Sequence, residues 1–131
     1  MKILVGYDGS NVAKAALELA RRHATTWNAK IEVVNCMHQN QKLKYEDIRK
    51  VEENLEDEVH AIMNSGAVPY QTYVLISDLE PGEDLVQFAE ENKTDEIVIG
   101  IRKRSKVGKL MFGSTGQYVI LNAPCPVVSI K

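Results

Sequence analysis

The sequence predicts one α/β domain of Rossmann-like type, with a doubly wound parallel sheet of five strands and four helices. Five short apolar runs, rich in β-branched residues, alternate along the chain with four amphipathic segments. This alternation is typical of βαβ units built around a parallel sheet. The 131 residues are enough for one buried core and too few for two. We therefore expect a single domain over residues 1–131, with the strand order 3-2-1-4-5.

The first strand is predicted at residues 3–7, and the first helix from Ser10 to about residue 26. Residues 3–7 are an apolar run that ends where the chain turns polar. Ser10 is placed to cap the helix, because a serine side chain accepts a hydrogen bond from an N–H of the first turn. The apolar positions of this helix are Val12, Ala16, Leu19, Ala20 and Trp27.

The second strand is predicted at residues 30–36, and a polar loop then leads into a long helix. Continuous apolarity at Val33-Val34 favours a strand covered on both faces, and hence a central position. The helix begins near Tyr45 and ends near Gly66, because glycine is common just after a helix. Its apolar side consists of Tyr45, Ile48, Val51, Leu55, Val59 and Ile62. The acids on its other side, interpreted as a solvated face, include Glu52, Glu53, Glu56 and Asp57.

The second half of the chain supplies the remaining three strands and two helices. The strands are predicted at residues 69–76, 96–99 and 127–130. Pro81 opens a short helix, because proline suits the first helical turn. Ser114 is predicted to cap the last helix, which runs to about residue 122.

A basic loop follows the fourth strand and has the chemistry of a phosphate site. It begins at Gly100 and re-enters helix through Gly113, Ser114 and Thr115, so it offers bare N–H groups of a helix N-terminus. The net charge of the chain is −2, which makes the basic loop a local feature and not the overflow of a basic protein. Its cations are Arg102, Lys103, Arg104, Lys106 and Lys109.

The carboxyl ends of the first and fourth strands are the predicted place for a ligand. In a doubly wound sheet, ligands bind in the crevice where the strand order reverses, and the order 3-2-1-4-5 reverses between these two strands. Asp8 would face the basic loop there, where its carboxylate can bind Mg²⁺ or a ribose hydroxyl. The alternative is that Asp8 and Ser10 only form a turn and a helix cap, and that Gly113 and Ser114 likewise only begin a helix.

Composition argues against several classes of protein. No apolar run approaches the roughly 18 residues of a membrane span, and the first run is too short for a signal peptide. Cys36 and Cys125 lack metal-site or redox spacing and are interpreted as buried thiols. A slightly negative net charge and scattered aromatic residues make nucleic acid an unlikely partner. We expect a cytoplasmic protein with no membrane partner.

The chain resembles the universal stress protein family over essentially its whole length. Three segments carry the resemblance: residues 3–10 (ILVGYDGS), residues 95–100 (DEIVIG), and residues 113–128, which begin GSTGQ and end APCPVV. The ATP-binding branch of that family has a motif of glycine, two residues, glycine, nine residues, glycine, and serine or threonine. Gly100, Gly113 and Ser114 match this motif in type and spacing, and Lys103 stands in place of its middle glycine.

The resemblance implies an adenine-nucleotide site. Asp8 would contact the ribose or a phosphate-bound Mg²⁺, the backbone around Cys36 would meet the adenine, and the start of the last helix would hold phosphates. A lysine at position 103 either supplies a cation to the phosphates or fills the space that the glycine leaves open. The expected ATP-binding residues are Tyr7, Asp8, Cys36, Ile99, Gly100, Arg102, Lys103, Gly113, Ser114 and Thr115.

The function implied by the resemblance is that of an ATP-binding regulatory module in the stress response. The alternative is a dimeric interaction protein of the same family that binds no nucleotide. In either case a homodimer through the last strand would cover a bare apolar edge. An enzyme finds little support, because Leu110 follows Gly108-Lys109 where a Walker A motif needs serine or threonine. No acid is predicted beside any histidine. We expect at most slow ATP hydrolysis, from positioning of the nucleotide alone.

Overall fold

The computed structural model describes residues 1–40, 42–64, 66–102 and 113–131. Within them, strands and helices alternate along the chain. The strands are β1 (Lys2–Gly6), β2 (Lys30–His38), β3 (Tyr70–Ser77), β4 (Glu96–Gly100) and β5 (Val127–Ile130). The helices are α1 (Asn11–Trp27), α2 (Tyr45–Met63), α3 (Pro81–Glu91) and α4 (Ser114–Asn122). None of these described helices is both long and apolar enough to cross a membrane.

The five strands form one parallel sheet in the order β3-β2-β1-β4-β5. β1 lies at the centre, where Val5 pairs with Val33 of β2 on one side and with Val98 of β4 on the other. β2 is an interior strand, as its continuous apolarity predicts. The order reverses between β1 and β4. The predicted doubly wound fold is confirmed.

Helices cover both faces of the sheet. The side chains of β1 alternate between the faces: Ile3 and Val5 belong to the core under α1 and α2, and Leu4 belongs to the core under α3 and α4. Because both faces are buried, the interior strands are apolar at successive positions.

α1 packs on the sheet through small side chains, which corrects its predicted apolar stripe. Val12 and Leu19 are only partly buried, and Trp27 at the last residue of the helix is 47% exposed. Alanine side chains let α1 approach the sheet closely. The narrow space between α1 and the sheet does not accommodate the Trp27 ring. The buried residues are Ala13, Ala16, Leu17, Ala20 and Ala24.

α2 contributes to the core only through its second half. Leu55, Val59 and Met63 are buried, whereas Tyr45 at the first residue is 74% exposed. The predicted apolar side of α2 is therefore correct in its second half and wrong at its start. Gly66 also lies farther from the helix than predicted, because Asn64 is already the C-cap.

The two helix starts near the reversal differ in how they are capped. Ser10 caps α1 as predicted, and its Oγ accepts a hydrogen bond from the Ala13 N–H at 3.2 Å. Ser114 is instead the first helical residue of α4, and Gly113 takes the N-cap position in an extended conformation. A glycine has no side chain to accept from the first-turn N–H groups, so these donors are not capped by the N-cap residue.

His23 has an acidic partner, contrary to the expectation that no acid lies beside a histidine. Its Nδ1 lies 2.8 Å from Oε1 of Glu96, a buried residue at the start of β4. The two residues are 73 positions apart in the chain and meet because α1 packs on β4. Sequence spacing carries no sign of this pair.

Candidate functional site

A cavity of about 270 Å³ lies beyond the carboxyl ends of β1 and β4, where the strand order reverses. Its position is the one that a doubly wound sheet favours for a ligand. The sequence-predicted residues that line it are Tyr7, Asp8, Cys36, Ile99, Gly100, Arg102, Gly113, Ser114 and Thr115. The tenth, Lys103, lies outside the described residues, as do the other three lysines and arginines of the basic loop after Arg102.

Asp8 joins the turn after β1 to the end of β4. Its Oδ1 accepts hydrogen bonds from the Ser10 N–H at 3.0 Å and from the Ser10 hydroxyl at 2.6 Å. Gly9 between them has φ +82°, a left-handed conformation that favours glycine. The other oxygen, Oδ2, accepts a hydrogen bond from Nη2 of Arg102 at 2.7 Å. Asp8 and Ser10 therefore do form the turn and the helix cap, and the second oxygen of Asp8 contacts Arg102 of the basic loop.

These contacts determine the ionisation of Asp8. Partial burial by itself raises the pKa of the carboxyl group, but the Ser10 hydrogen bonds and the Arg102 charge outweigh burial and hold the pKa below its ordinary value of 3.8. Asp8 is therefore a carboxylate at neutral pH. It is also the one acid among the described residues that line the cavity.

Glu58 of α2 reaches the edge of the site, and the sequence did not single it out. The Tyr7 hydroxyl donates a hydrogen bond to Oε2 of Glu58 at 3.0 Å. Burial, followed by this contact with Glu58, raises the pKa of Tyr7, so the phenol stays protonated. A clue was present in the helix, since Glu58 lies three residues after Leu55 and beside Val59, on the edge of the buried face.

The side of the cavity that β2 and α3 supply is a mainly apolar slot. Val34 at the end of β2 and Leu85 of α3 form its walls, and Cys36 and Pro81 complete it. Cys36 is only partly buried, which corrects its interpretation as a buried thiol, and Cys125 is likewise intermediate. Burial raises the pKa of the Cys36 thiol to about 12, and the nearby Asp84 charge adds to this effect. The thiol is therefore neutral at physiological pH and behaves as a small apolar group.

The structure gives different reasons for glycine at the two motif positions, 100 and 113. A Cβ on Gly100 would lie 2.6 Å from the Val12 carbonyl oxygen, so α1 can approach the end of β4 only because residue 100 is glycine. Among the described residues, a Cβ on Gly113 would have nothing within 4 Å. Gly113 thus leaves space in the cavity wall, and a side chain there is compatible with the fold.

The donor set of the cavity suits an anion with an apolar portion. Arg102 and the start of α4, whose N-cap Gly113 has no side chain, line the cavity together with Asp8, and Val34 and Leu85 line its apolar slot. The described residues contain no group of three or more histidine, cysteine or acidic side chains that could bind a metal ion by themselves.

Comparison with known proteins identifies relatives over the full length of the chain. The universal stress protein family model matches residues 1–131. A Thermus aquaticus protein described as a universal stress protein in the QAH/OAS sulfhydrylase 3′ region is 32% identical over 134 residues, which cover 98% of this chain and 97% of the relative.

Two solved structures from Archaeoglobus fulgidus share the fold. A universal stress protein superposes with a TM-score of 0.87 at 37% identity, covering 100% of this chain and 98% of the other. A universal stress protein in complex with dAMP superposes with a TM-score of 0.83 at 32% identity, with the same coverage. By its sequence, its strand order and these relatives, the chain belongs to the universal stress protein family.

Proposed function

We propose that this protein binds an adenine nucleotide, ATP in the first instance, in the cavity between β1 and β4, and acts as a regulatory module in the stress response. The observation that carries the proposal is the division of the cavity into an apolar slot and an end with an uncapped helix start and Arg102. A nucleotide has the same division between its base and its phosphates. The Archaeoglobus relative in complex with dAMP, 32% identical to this chain, supports an adenine nucleotide.

The phosphates would lie at the start of α4. The N–H groups of its first turn have no capping side chain from Gly113, and the partial positive charge of a helix N-terminus favours anions. The hydroxyls of Ser114 and Thr115 add donors, and both residues line the cavity. Arg102 adds a guanidinium, which matches phosphate oxygens well. We propose that Lys103 adds a further cation.

The ribose and a phosphate-bound Mg²⁺ would lie near Asp8. Mg²⁺ in proteins commonly takes one or two carboxylates together with phosphate oxygens, and Asp8 supplies one carboxylate here. Its Oδ1 is held by Ser10, so the metal would have to take Oδ2 from Arg102. Arg102 would then be released toward the phosphates. The residues fit this arrangement, in which Mg²⁺ neutralises phosphate charge and Asp8 fixes its position.

The base would lie in the slot between Val34 and Leu85, with Ile99 and Tyr7 near the ribose. Cys36 lines the same slot, and its backbone would meet the base. We propose no catalytic group, and the role of the bound nucleotide is regulatory.

We further propose a cytoplasmic homodimer that pairs through β5. The two cysteines of the chain are free, which suits a reducing compartment. β5 is the edge of the sheet next to β4, and α4, which leads into it, leaves Leu121 72% exposed and Ile120 43% exposed. A second copy would cover an edge that proteins rarely leave bare. The same observation favours the alternative function, a dimeric interaction protein that binds no nucleotide.

Titration of nucleotide-free protein with ATP, with and without Mg²⁺, distinguishes the two functions. Before the titration, a separate sample of purified protein is denatured. Chromatography of the released small molecules then detects any nucleotide that copurifies. We expect saturable binding of one adenine nucleotide per chain, tighter with Mg²⁺. Absence of binding at millimolar ATP and of copurified nucleotide would leave the interaction protein as the function.

A further inference from the structure

β1 and β2 separate at Tyr7, and the separation opens the base end of the cavity. The Tyr7 N–H donates to the Val34 carbonyl at 2.9 Å. Within the described part of the chain, this is the last backbone hydrogen bond between the two segments. Beyond it, β2 continues to His38 while the chain after β1 turns away at Gly9.

The direction of the Cys36 backbone follows from the alternation along β2. In a strand, the N–H and C=O of alternate residues point to the same side, and those of the residues between them point to the other. The Val34 carbonyl bonds toward β1, and the Gln39 N–H bonds toward β3 at Ser77. Cys36 is two residues after Val34, so its N–H and C=O point to the β1 side, past the end of that strand. Cys36 is among the residues that line the cavity, and the alternation along β2 directs this donor and acceptor toward the β1 side of it.

In an uninterrupted ladder, the Cys36 N–H would bond to the Tyr7 carbonyl. The side chain of Asn35 does so instead, with its Nδ2 donating to the Tyr7 oxygen at 3.0 Å. This carboxamide satisfies a partly buried carbonyl while the two strands stay apart. Without it, the carbonyl would need another donor, and the Cys36 N–H is the adjacent one on β2.

We propose that Asn35 is a positioning residue for base recognition: by bonding to the Tyr7 carbonyl, it keeps the Cys36 N–H and C=O free to read the edge of an adenine base. The inference rests on the proposed function. Adenine offers an acceptor at N1 and a donor at its 6-amino group, which complement the Cys36 N–H and C=O. Hypoxanthine, the base of IMP, has a donor at N1 and an acceptor at position 6, so both contacts are reversed. Cys36 therefore selects adenine, and Asn35 maintains that selection.

The first test measures the affinities of AMP and IMP for the wild type and for Asn35→Leu, which keeps the size of the side chain and removes its donor. We expect the wild type to prefer AMP and Asn35→Leu to lose that preference by roughly tenfold, the worth of a good hydrogen bond. Asn35→Gln keeps a carboxamide and should retain most of it. The matched control is Asn92→Leu, because Asn92 Nδ2 also donates to a backbone carbonyl, that of Phe88 at 2.9 Å, away from the cavity.

The second test measures amide hydrogen exchange at Cys36 by NMR. In the free wild type, the Cys36 N–H should exchange much faster than the bonded Tyr7 N–H, and AMP should slow it. In Asn35→Leu, the Cys36 N–H should be protected without ligand. The comparison of the two free proteins needs no nucleotide, so it tests the role of Asn35 separately from nucleotide binding. A wild type that binds no AMP overturns the base-reading role together with the proposed function. A protected Cys36 amide in the free wild type, or an AMP preference unchanged in Asn35→Leu, overturns the role of Asn35 alone.

Discussion

Asp8 holds together two segments that the sequence separates by 94 residues, because its two carboxylate oxygens have different partners. Oδ1 fixes the turn at Ser10, and Oδ2 holds Arg102 at the mouth of the cavity. A ligand phosphate would compete with Asp8 for Arg102. The same residue thus serves the local turn and the charge balance of the site.

The charge of Arg102 should be measurable in the titration of Asp8. In the folded protein, the Asp8 pKa should lie below 3.8, and Arg102→Ala should raise it because the favourable charge is lost. NMR titration of the Asp8 carboxyl carbon measures both values. Arg49→Ala is the control, since Arg49 pairs with Glu53 on the exposed face of α2 at 3.5 Å. An Asp8 pKa that is the same in wild type and Arg102→Ala would contradict the ion pair.

The pH dependence of stability follows with a defined sign. Because the folded pKa of Asp8 is lower than the unfolded pKa, the carboxylate contributes stability above pH 3.8, and this contribution is lost as the pH falls through the folded pKa. The difference in unfolding free energy between wild type and Asp8→Asn should therefore be constant near neutral pH and shrink in acid. Urea denaturation at several pH values measures it, and a difference that grows on acidification would refute the assignment.

At the scale of residues, position at a strand end was the useful sequence signal. Asp8, Gly100 and Gly113 could be singled out because parallel strands bring their carboxyl ends to one edge. The contacts of Glu58 and Asn35 could not be predicted, although helical periodicity places Glu58 on the edge of the buried face of α2. The first depends on the way α2 faces the sheet, and the second on which side of β2 each backbone group points.

α1 and β4 are the two elements whose contact shapes the site, and Gly100 determines how closely they approach. A methyl group on Gly100 would lie 2.6 Å from the backbone oxygen of Val12 and 2.7 Å from its carbonyl carbon. Backbone cannot rotate out of the way as a side chain can. The helix start that carries the Ser10 cap and the strand end that leads to Arg102 would have to move apart.

Gly100→Ala should therefore destabilise the fold. We expect a loss of about 1–3 kcal/mol in the free energy of unfolding, the usual effect of forcing extra volume into a packed contact. Gly113→Ala is the matched control, because its methyl group meets no atom of the described residues within 4 Å and its backbone angles suit alanine. Urea denaturation of both variants measures the difference. Equal stability of Gly100→Ala and Gly113→Ala would show that the contact with Val12 is not rigid.

The strands and helices were predictable because short apolar runs alternate along the chain with amphipathic segments of helical period. The strand order followed from the doubly wound class, and it is confirmed. The buried face of α1 was predicted less well, since alanine carries a weak apolar signal and the larger Val12, Leu19 and Trp27 drew attention to the flanks. The extent of α1 could thus be predicted from the sequence, whereas the short distance between this helix and the sheet could not.

At the scale of the whole molecule, the sheet has two edge strands, β5 and β3, and the proposed dimer uses only β5. The Ile101 N–H bonds to the Ile130 carbonyl, so even-numbered residues of β5 point toward β4, and Val127 and Ser129 point outward. A second copy that pairs with β5 would use these outward groups. β3 forms the opposite edge, where the Gln39 N–H bonds to the Ser77 carbonyl and even-numbered residues point outward.

Ser129→Pro should convert the proposed dimer to a monomer. Proline removes one outward N–H of β5 and leaves the ladder to β4 intact, as is typical of proline on an edge strand. Thr72→Pro makes the same change on the outward side of β3 and should leave the dimer unaffected. Sedimentation at tens of micromolar measures the mass of each variant. A wild-type mass equal to one chain would contradict pairing through β5.

Calorimetric titration of nucleotide-free Gly113→Val with ATP and Mg²⁺, beside the wild type, tests the nucleotide site most directly. The valine side chain would lie in the cavity wall, near the proposed phosphate position, and its Cβ meets no atom of the described residues within 4 Å. Gly66→Val is the matched control, because among the described residues its added Cβ would meet the Val68 nitrogen alone, at 3.9 Å, and Gly66 does not line the cavity. We expect saturable ATP binding by the wild type and by Gly66→Val, and ATP binding at least tenfold weaker in Gly113→Val. Equal affinity in all three proteins would contradict the site.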